Sequence, residues 1–179
     1  MKTRFASSFL FAIVASALLS ASTALALPLA LTGRGSGNEV GVAGSCNGSG
    51  NSCTGSGTSC ECYQFTGTGN ATAGVGNVNV STNFLLNLGT LVDNLACESA
   101  TGVLKLAQKN KPANVLALDY QGVICLAVTQ AVFNGSFAVD GDASLGKFAN
   151  ALGSGTFTAS IAGDSTLTLG NINGTLQLP

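Results

Sequence analysis

The sequence predicts an all-β domain, antiparallel, with about eight strands closed into a barrel and a disulfide-stapled, Gly/Ser-rich N-terminal arm. Three observations lead there. A long segment alternates strictly between two kinds of residue, many shorter segments repeat that alternation between Gly, Asn and Asp breaks, and the cysteines crowd into a glycine-rich stretch. The clearest alternation starts at Gly76. Val78, Val80, Thr82, Phe84, Leu86 and Leu88 fall on one face, and Asn77, Asn79, Ser81, Asn83 and Asn87 on the other, with Leu85 the exception. A period of two marks a strand with one face in the core. The same grammar predicts strands at Glu61–Thr66, Val103–Ala107, Asn114–Tyr120, Val123–Val128, Gly135–Val139, Gly155–Ala162, Thr166–Leu169 and Thr175–Leu178. Helical periodicity is confined to a turn near Leu91–Ala96. Short connections favour an up-and-down barrel over a sandwich, because closure removes the edges that an open sheet must protect. A barrel facing lipid would need an apolar outer band with aromatic girdles, and the second face of the long strand is rich in Asn instead.

The N-terminus sets the compartment. Lys2 and Arg4 precede an apolar run, Phe9–Leu19, and a small-residue tail ending Ala24-Leu25-Ala26. This is the plan of a secretory signal peptide cleaved after Ala26, and the run is shorter than the ~18 residues a membrane span requires. Residues 1–26 are therefore assigned to the signal, 27–59 to the arm and 60–179 to the barrel domain, secreted to the periplasm or beyond and free of the membrane once the signal is removed.

The arm repeats itself: Ser45-Cys46-Asn47-Gly48-Ser49-Gly50-Asn51 is followed by Ser52-Cys53-Thr54-Gly55-Ser56-Gly57-Thr58, then Ser59-Cys60 and Cys62. So polar a segment cannot bury enough surface to offset its ordering entropy. Six cysteines in an exported chain read as disulfides, and cross-links of this kind reduce unfolded-state entropy. Cys97 and Cys125, far downstream, are paired with each other; the pairing among Cys46, Cys53, Cys60 and Cys62 stays open. No Cys-x-x-Cys spacing suggests a metal.

Histidine is absent, which excludes Ser-His-Asp and Cys-His nucleophile systems and His-ligated zinc or copper. Nothing calls for a cofactor. Charged residues make up 8% of the chain and give a net charge of −1, so there is no basic footprint for nucleic acid or an anionic membrane. Lys105, Lys109 and Lys111 read as a solvated turn. Asp140 and Asp142 read as turn formers, since Asp favours the backbone shapes of hairpin loops.

Near the C-terminus, Gly146-Lys147-Phe148-Ala149-Asn150-Ala151-Leu152-Gly153-Ser154-Gly155-Thr156 follows Phe137-x-Val139 and precedes alternating Thr, Phe and Ile. This stretch resembles the Gly-Gly-Thr-Gly-x-Phe motif region of the dirigent and allene oxide cyclase-like barrels, and the likeness extends over roughly residues 60–179. In place of Gly-Gly-Thr the chain has the longer Gly141-Asp142-Ala143-Ser144-Leu145. The resemblance implies a barrel of about eight strands, often trimeric, with a cavity at one end. It implies that Phe148 plugs a barrel end beside Gly146, and that Gly153 and Gly155 allow a tight backbone path. In such barrels the cavity orients a phenolic intermediate or folds a fatty-acid epoxide.

No catalytic residue is identified, and fold alone does not transfer a role. Asp119 and Tyr120 are the ligand-binding candidates, a strand carboxylate beside a phenol. The expected function is a secreted barrel binding a small apolar or phenolic ligand without covalent catalysis. Its alternatives are an extracellular or envelope structural protein with a filled barrel, or a cyclase-like enzyme using a cavity carboxylate. Asn-x-Ser/Thr sequons occur at Asn47, Asn70, Asn79, Asn134 and Asn173, a number expected largely by chance in so Asn-, Ser- and Thr-rich a chain.

Overall fold

A computed structural model describes residues 25–42, 60–91 and 97–179. They form eight antiparallel strands, β1 (Ala26–Val42), β2 (Cys60–Ala71), β3 (Gly76–Leu91), β4 (Cys97–Gln108), β5 (Val115–Leu126), β6 (Gln130–Val139), β7 (Leu152–Ala162) and β8 (Thr166–Gln177). Each pairs with the next, and β1 pairs with β8 to close the barrel. Among the described residues the only helical element is a 3-10 turn, Gly146–Phe148. The turn expected at Leu91–Ala96 falls on residues 92–96, outside the described residues, and Leu91 belongs to β3.

The barrel wall begins earlier than expected. Residues assigned to the arm, from Leu27 to Val42, belong to β1, which pairs Leu31 with Ala71 on one side and Leu29 with Gly174 on the other. Only residues 43–59 of the arm lie between strands, and they are outside the described residues. Two pairs of expected strands each prove to be one: Gln121-Gly122 continues β5, and Gly170–Gly174 continues β8 past a register shift in its pairing with β1. Neither interruption carries a turn, because a Gly inside a strand also marks a bend or a close backbone approach.

Alternation sorts the side chains. Leu104 and Leu106 of β4, Leu116 and Leu118 of β5 and Val78 of β3 are at most 1% exposed, while Asn79, Asn83, Lys105 and Asp119 between them face outward. Polar outside and apolar inside is the reverse of what a hydrocarbon-facing barrel requires. Among the described residues no helix is long and apolar enough to cross a membrane.

One end of the barrel is sealed. The β2–β3 turn, the β4–β5 turn and the β6–β7 loop (residues 140–151) gather there, and Val75, Phe148 and Ala151 are completely buried beneath them. Polar groups tie the seal together. Gln108 Nε2 donates to Val75 O (2.6 Å), Asn114 Nδ2 donates to Gln108 Oε1 (2.8 Å), and Lys147 Nζ donates to Gly74 O (2.7 Å). Lys147 Nζ also sits 4.8 Å from the Phe148 ring centroid, so one lysine holds both the plug and the neighbouring turn.

Candidate functional site

Above the plug the interior is occupied by the wall's own side chains. Leu29, Leu31, Leu104, Leu106, Leu116, Leu118, Ile172 and Leu176 are each at most 1% exposed. Beyond them lie two aromatic groups. Phe84 stacks on Tyr63 (centroids 5.0 Å) and on Phe65 (5.7 Å). Tyr120, Phe133 and Phe157 form a triangle at 5.0 to 5.4 Å, two of its contacts edge-on. Those spacings are those of aromatic pairs in direct contact. Glycine makes room for the rings: a Cβ on Gly102 would come within 2.6 Å of the Tyr120 ring, and one on Gly135 within 2.6 Å of Phe133.

Tyr120 is buried, and its hydroxyl shares a 2.7 Å hydrogen bond with Thr82 Oγ1, itself 4% exposed. Burial pushes the phenol's pKa well up, and the Thr82 hydrogen bond acts weakly against that. Asp119 faces the other way. Consecutive strand residues point to opposite faces, so the candidate pair is split by the wall, with Asp119 in solvent and Tyr120 in the core. Burial raises the Asp119 carboxyl above its usual range, and the charge of Asp140 adds to this. Both residues nonetheless border the concavity described below.

The four motif residues serve the architecture. Phe148 is the plug, 0% exposed. Gly146 has a left-handed φ of 63°, and its Cβ would collide with Asn114 Oδ1. Gly153 and Gly155 lie in β7, where a Cβ would strike the carbonyl oxygens of Thr175 and Asn173 on β8. Asp140 is a turn former as expected: its Oδ1 accepts from the backbone N–H groups of Asp142 (3.1 Å) and Ala143 (2.9 Å). Nearby, Ser144 Oγ accepts from Ala117 N and donates to Asp140 O, fixing the loop to β5.

Cys97 and Cys125 face each other across β4 and β5 and form a disulfide. Cys62 is disulfide-bonded as well. Cys46, Cys53 and the side chain of Cys60 lie outside the described residues. Among the described residues no group of three His, Cys, Asp or Glu side chains gathers to hold a metal ion.

A concavity opens on the outer face of the wall. A trench of about 700 Å³ crosses β2 to β6, lined by Gln64, Asn83, Thr101, Asp119, Gln121 and Ser136, with Lys105 and Asp140 toward the sealed end. A second hollow of about 500 Å³ shares Thr101, Gln121 and Ser136 and continues it toward Ser99. Half-buried Thr101 and Val103 form the floor, and the longer exposed side chains of Gln64, Asn83, Lys105 and Gln121 form the banks. It lies outside the stretch where the inward positions are Gly102, Gly122 and Gly135. Comparisons with protein-family models, curated proteins and solved structures return no match. Sequence reasoning singled out Asp119 and Tyr120 but not Gln64, Asn83, Thr101, Gln121 or Ser136, which come from five strands and meet only through register.

Proposed function

We infer that the protein is a secreted barrel with a structural role in the extracellular space or envelope, and that its interior is a packed core. The observation that carries this reading is the interior aromatic packing. An eight-stranded barrel is just wide enough either to be filled by side chains or to hold one small ligand, and here Tyr63, Phe65, Phe84, Tyr120, Phe133 and Phe157 are in ring contact above a fully buried leucine layer. A polar pair within that packing, Tyr120 and Thr82, satisfies itself. A phenolic or apolar ligand would have to displace these groups. The Cys97–Cys125 disulfide supports an oxidising compartment, and the signal sequence supports export.

The test is a titration of the isotope-labelled protein with 1-naphthol and with dodecanoate, followed by amide NMR. Neither ligand is expected to cause saturable shifts at Tyr120, Phe133 or Phe157. One-to-one saturation with movement at those residues would refute the filled-core reading and restore the small-ligand one.

A further inference from the structure

We propose that the outer face of β2 and β3, at the end of the barrel opposite the seal, is the docking face for the chain's own Cys-rich segment, residues 43–59, and that a disulfide from Cys62 to Cys46 or Cys53 ties it there. Neither part depends on what fills the interior.

Two apolar residues are buried on the outer side of the wall. Phe65, Phe84 and Leu86 point into the core, so Cys62 and Leu85, at the alternate positions of β2 and β3, point outward. They stand opposite each other in register. Cys62 is 6% and Leu85 7% exposed, yet neither belongs to the core cluster. Other outward positions on the same strands, Gln64, Thr66, Asn79 and Asn83, are exposed. An outward strand residue is buried where something lies over it, as Ala117 shows on β5. That residue too is outward and buried, and the loop that covers it is tied down by Ser144 Oγ, which accepts from Ala117 N. Asn87 and Ser99, opposite each other just beyond Leu85, are likewise engaged. The described turns at this end join β5 to β6 and β7 to β8, and neither β2 nor β3 is adjacent to any of those strands.

Cys62 identifies the occupant. It is disulfide-bonded, and Cys97 and Cys125 are bonded to each other, which leaves Cys46, Cys53 and Cys60 as its partners. Cys60 does not fit. Cys60 and Cys62 both lie in β2, paired with Asn87 and Leu85, and same-face neighbours on a strand hold their Cβ atoms about 6.6 Å apart. A disulfide needs a Cβ separation of about 3.5–4.5 Å. Of the connectivities left open by the sequence, the one that joins Cys60 to Cys62 is therefore removed, and Cys62 reaches into residues 43–59. The path is short, because Val42 pairs with Glu61 and Gly41 with Cys62, so the segment leaves β1 beside the cysteine it is tied to. Its apolar residues are Ala43, Cys46 and Cys53, and sulfur is a fitting cover for Leu85. Each bond forms as two thiols give up two protons and two electrons to a disulfide-bearing oxidant of the export compartment, which leaves as a dithiol.

The exported protein, residues 27–179, is digested after Glu61 without reduction, and its disulfides are located by tandem mass spectrometry. Cys62 is expected to be joined to Cys46 or Cys53, and Cys60 to the other. A Cys60–Cys62 bond, a free Cys62 thiol or a bond between copies overturns the proposal. Docking is read separately, by NMR of protein with labelled leucine methyl groups. Leu85 is expected to give nuclear Overhauser effects to residues 43–59 and to resist broadening by a soluble nitroxide, whereas Leu126, 69% exposed, is broadened. Effects from Leu85 to residues 92–96 alone, or broadening that matches Leu126, would place another segment or none on this face and overturn the docking. In a Cys46→Ser, Cys53→Ser variant Leu85 is expected to lose its protection while Leu104 and Leu118 in the core keep theirs; unchanged protection at Leu85 would overturn the tether. The mapping and the parent spectra decide the question even where that variant does not fold.

Discussion

Replacing Tyr120 by Phe removes one oxygen from the middle of the barrel and leaves the ring in place. The phenol lies 2.7 Å from Thr82 Oγ1, and Tyr120 and Thr82 are only 6% and 4% exposed. Losing a hydrogen bond and stranding its partner away from water costs about 1–3 kcal/mol, while replacing both partners by apolar groups of the same shape is close to neutral. Tyr120→Phe is therefore expected to lose about 2 kcal/mol, and Thr82→Val about the same. The double variant should lose about 1 kcal/mol or less rather than their sum, because no orphaned hydroxyl remains. Urea denaturation followed by circular dichroism measures each loss as a shift in midpoint at constant slope. The pH dependence provides a second reading of the same bond. Burial favours the neutral phenol in the fold, so its contribution is complete below the ordinary tyrosine pKa of about 10. It falls as pH rises above that value, by at most about 1.4 kcal/mol per pH unit, because the unfolded chain then binds fewer protons than the native one. Tyr120→Phe should remove that alkaline component. Additive losses in the double variant, or an unchanged alkaline slope in Tyr120→Phe, would refute a desolvated, mutually satisfied pair.

Three other expectations follow from the same structure. Phe148→Ala empties a fully buried position at the sealed end and should cost about 3–5 kcal/mol, seen as a lower Tm; a change within error would show that the end is not held by the plug. Cys97→Ala with Cys125→Ala opens a link across 28 residues and should cost about 3–4 kcal/mol on chain-entropy grounds, measured by denaturation of the non-reduced variant; equal stability would mean that the unfolded chain is already constrained there. Asp140→Asn removes a charge that raises the Asp119 carboxyl, so the Asp119 midpoint should fall toward the ordinary carboxylate range in carboxyl-carbon NMR; an unmoved midpoint would assign the whole perturbation to burial.

The strands that were legible are those whose inward positions carry side chains. Val78, Val80, Phe84 and Leu86 announce β3, and Leu104 and Leu106 announce β4, because each apolar group marks a period of two. β1 was not legible for the opposite reason. Its inward positions Gly33 and Gly35 alternate with Thr32, Arg34 and Ser36, so the period is present but written in glycine, and glycine beside polar residues reads as linker. The missing volume is supplied by other strands: a Cβ on Gly33 would come within 3.0 Å of Leu169 Cδ1. Asp119 and Tyr120 are neighbours in the chain and fall on opposite faces of β5, because consecutive strand residues diverge. The trench failed for want of a second dimension, since Gln64, Asn83, Thr101, Asp119 and Ser136 are scattered over the chain.

What the amino-acid order determined alone was the class of architecture, the Cys97–Cys125 pairing and the exclusion of histidine chemistry, all set by residue type and local period. Closure of β1 against β8, the filling of the interior and the outer trench were decided by tertiary structure. They depend on which residues of distant strands stand opposite one another, and register across a barrel is a property of all eight strands together.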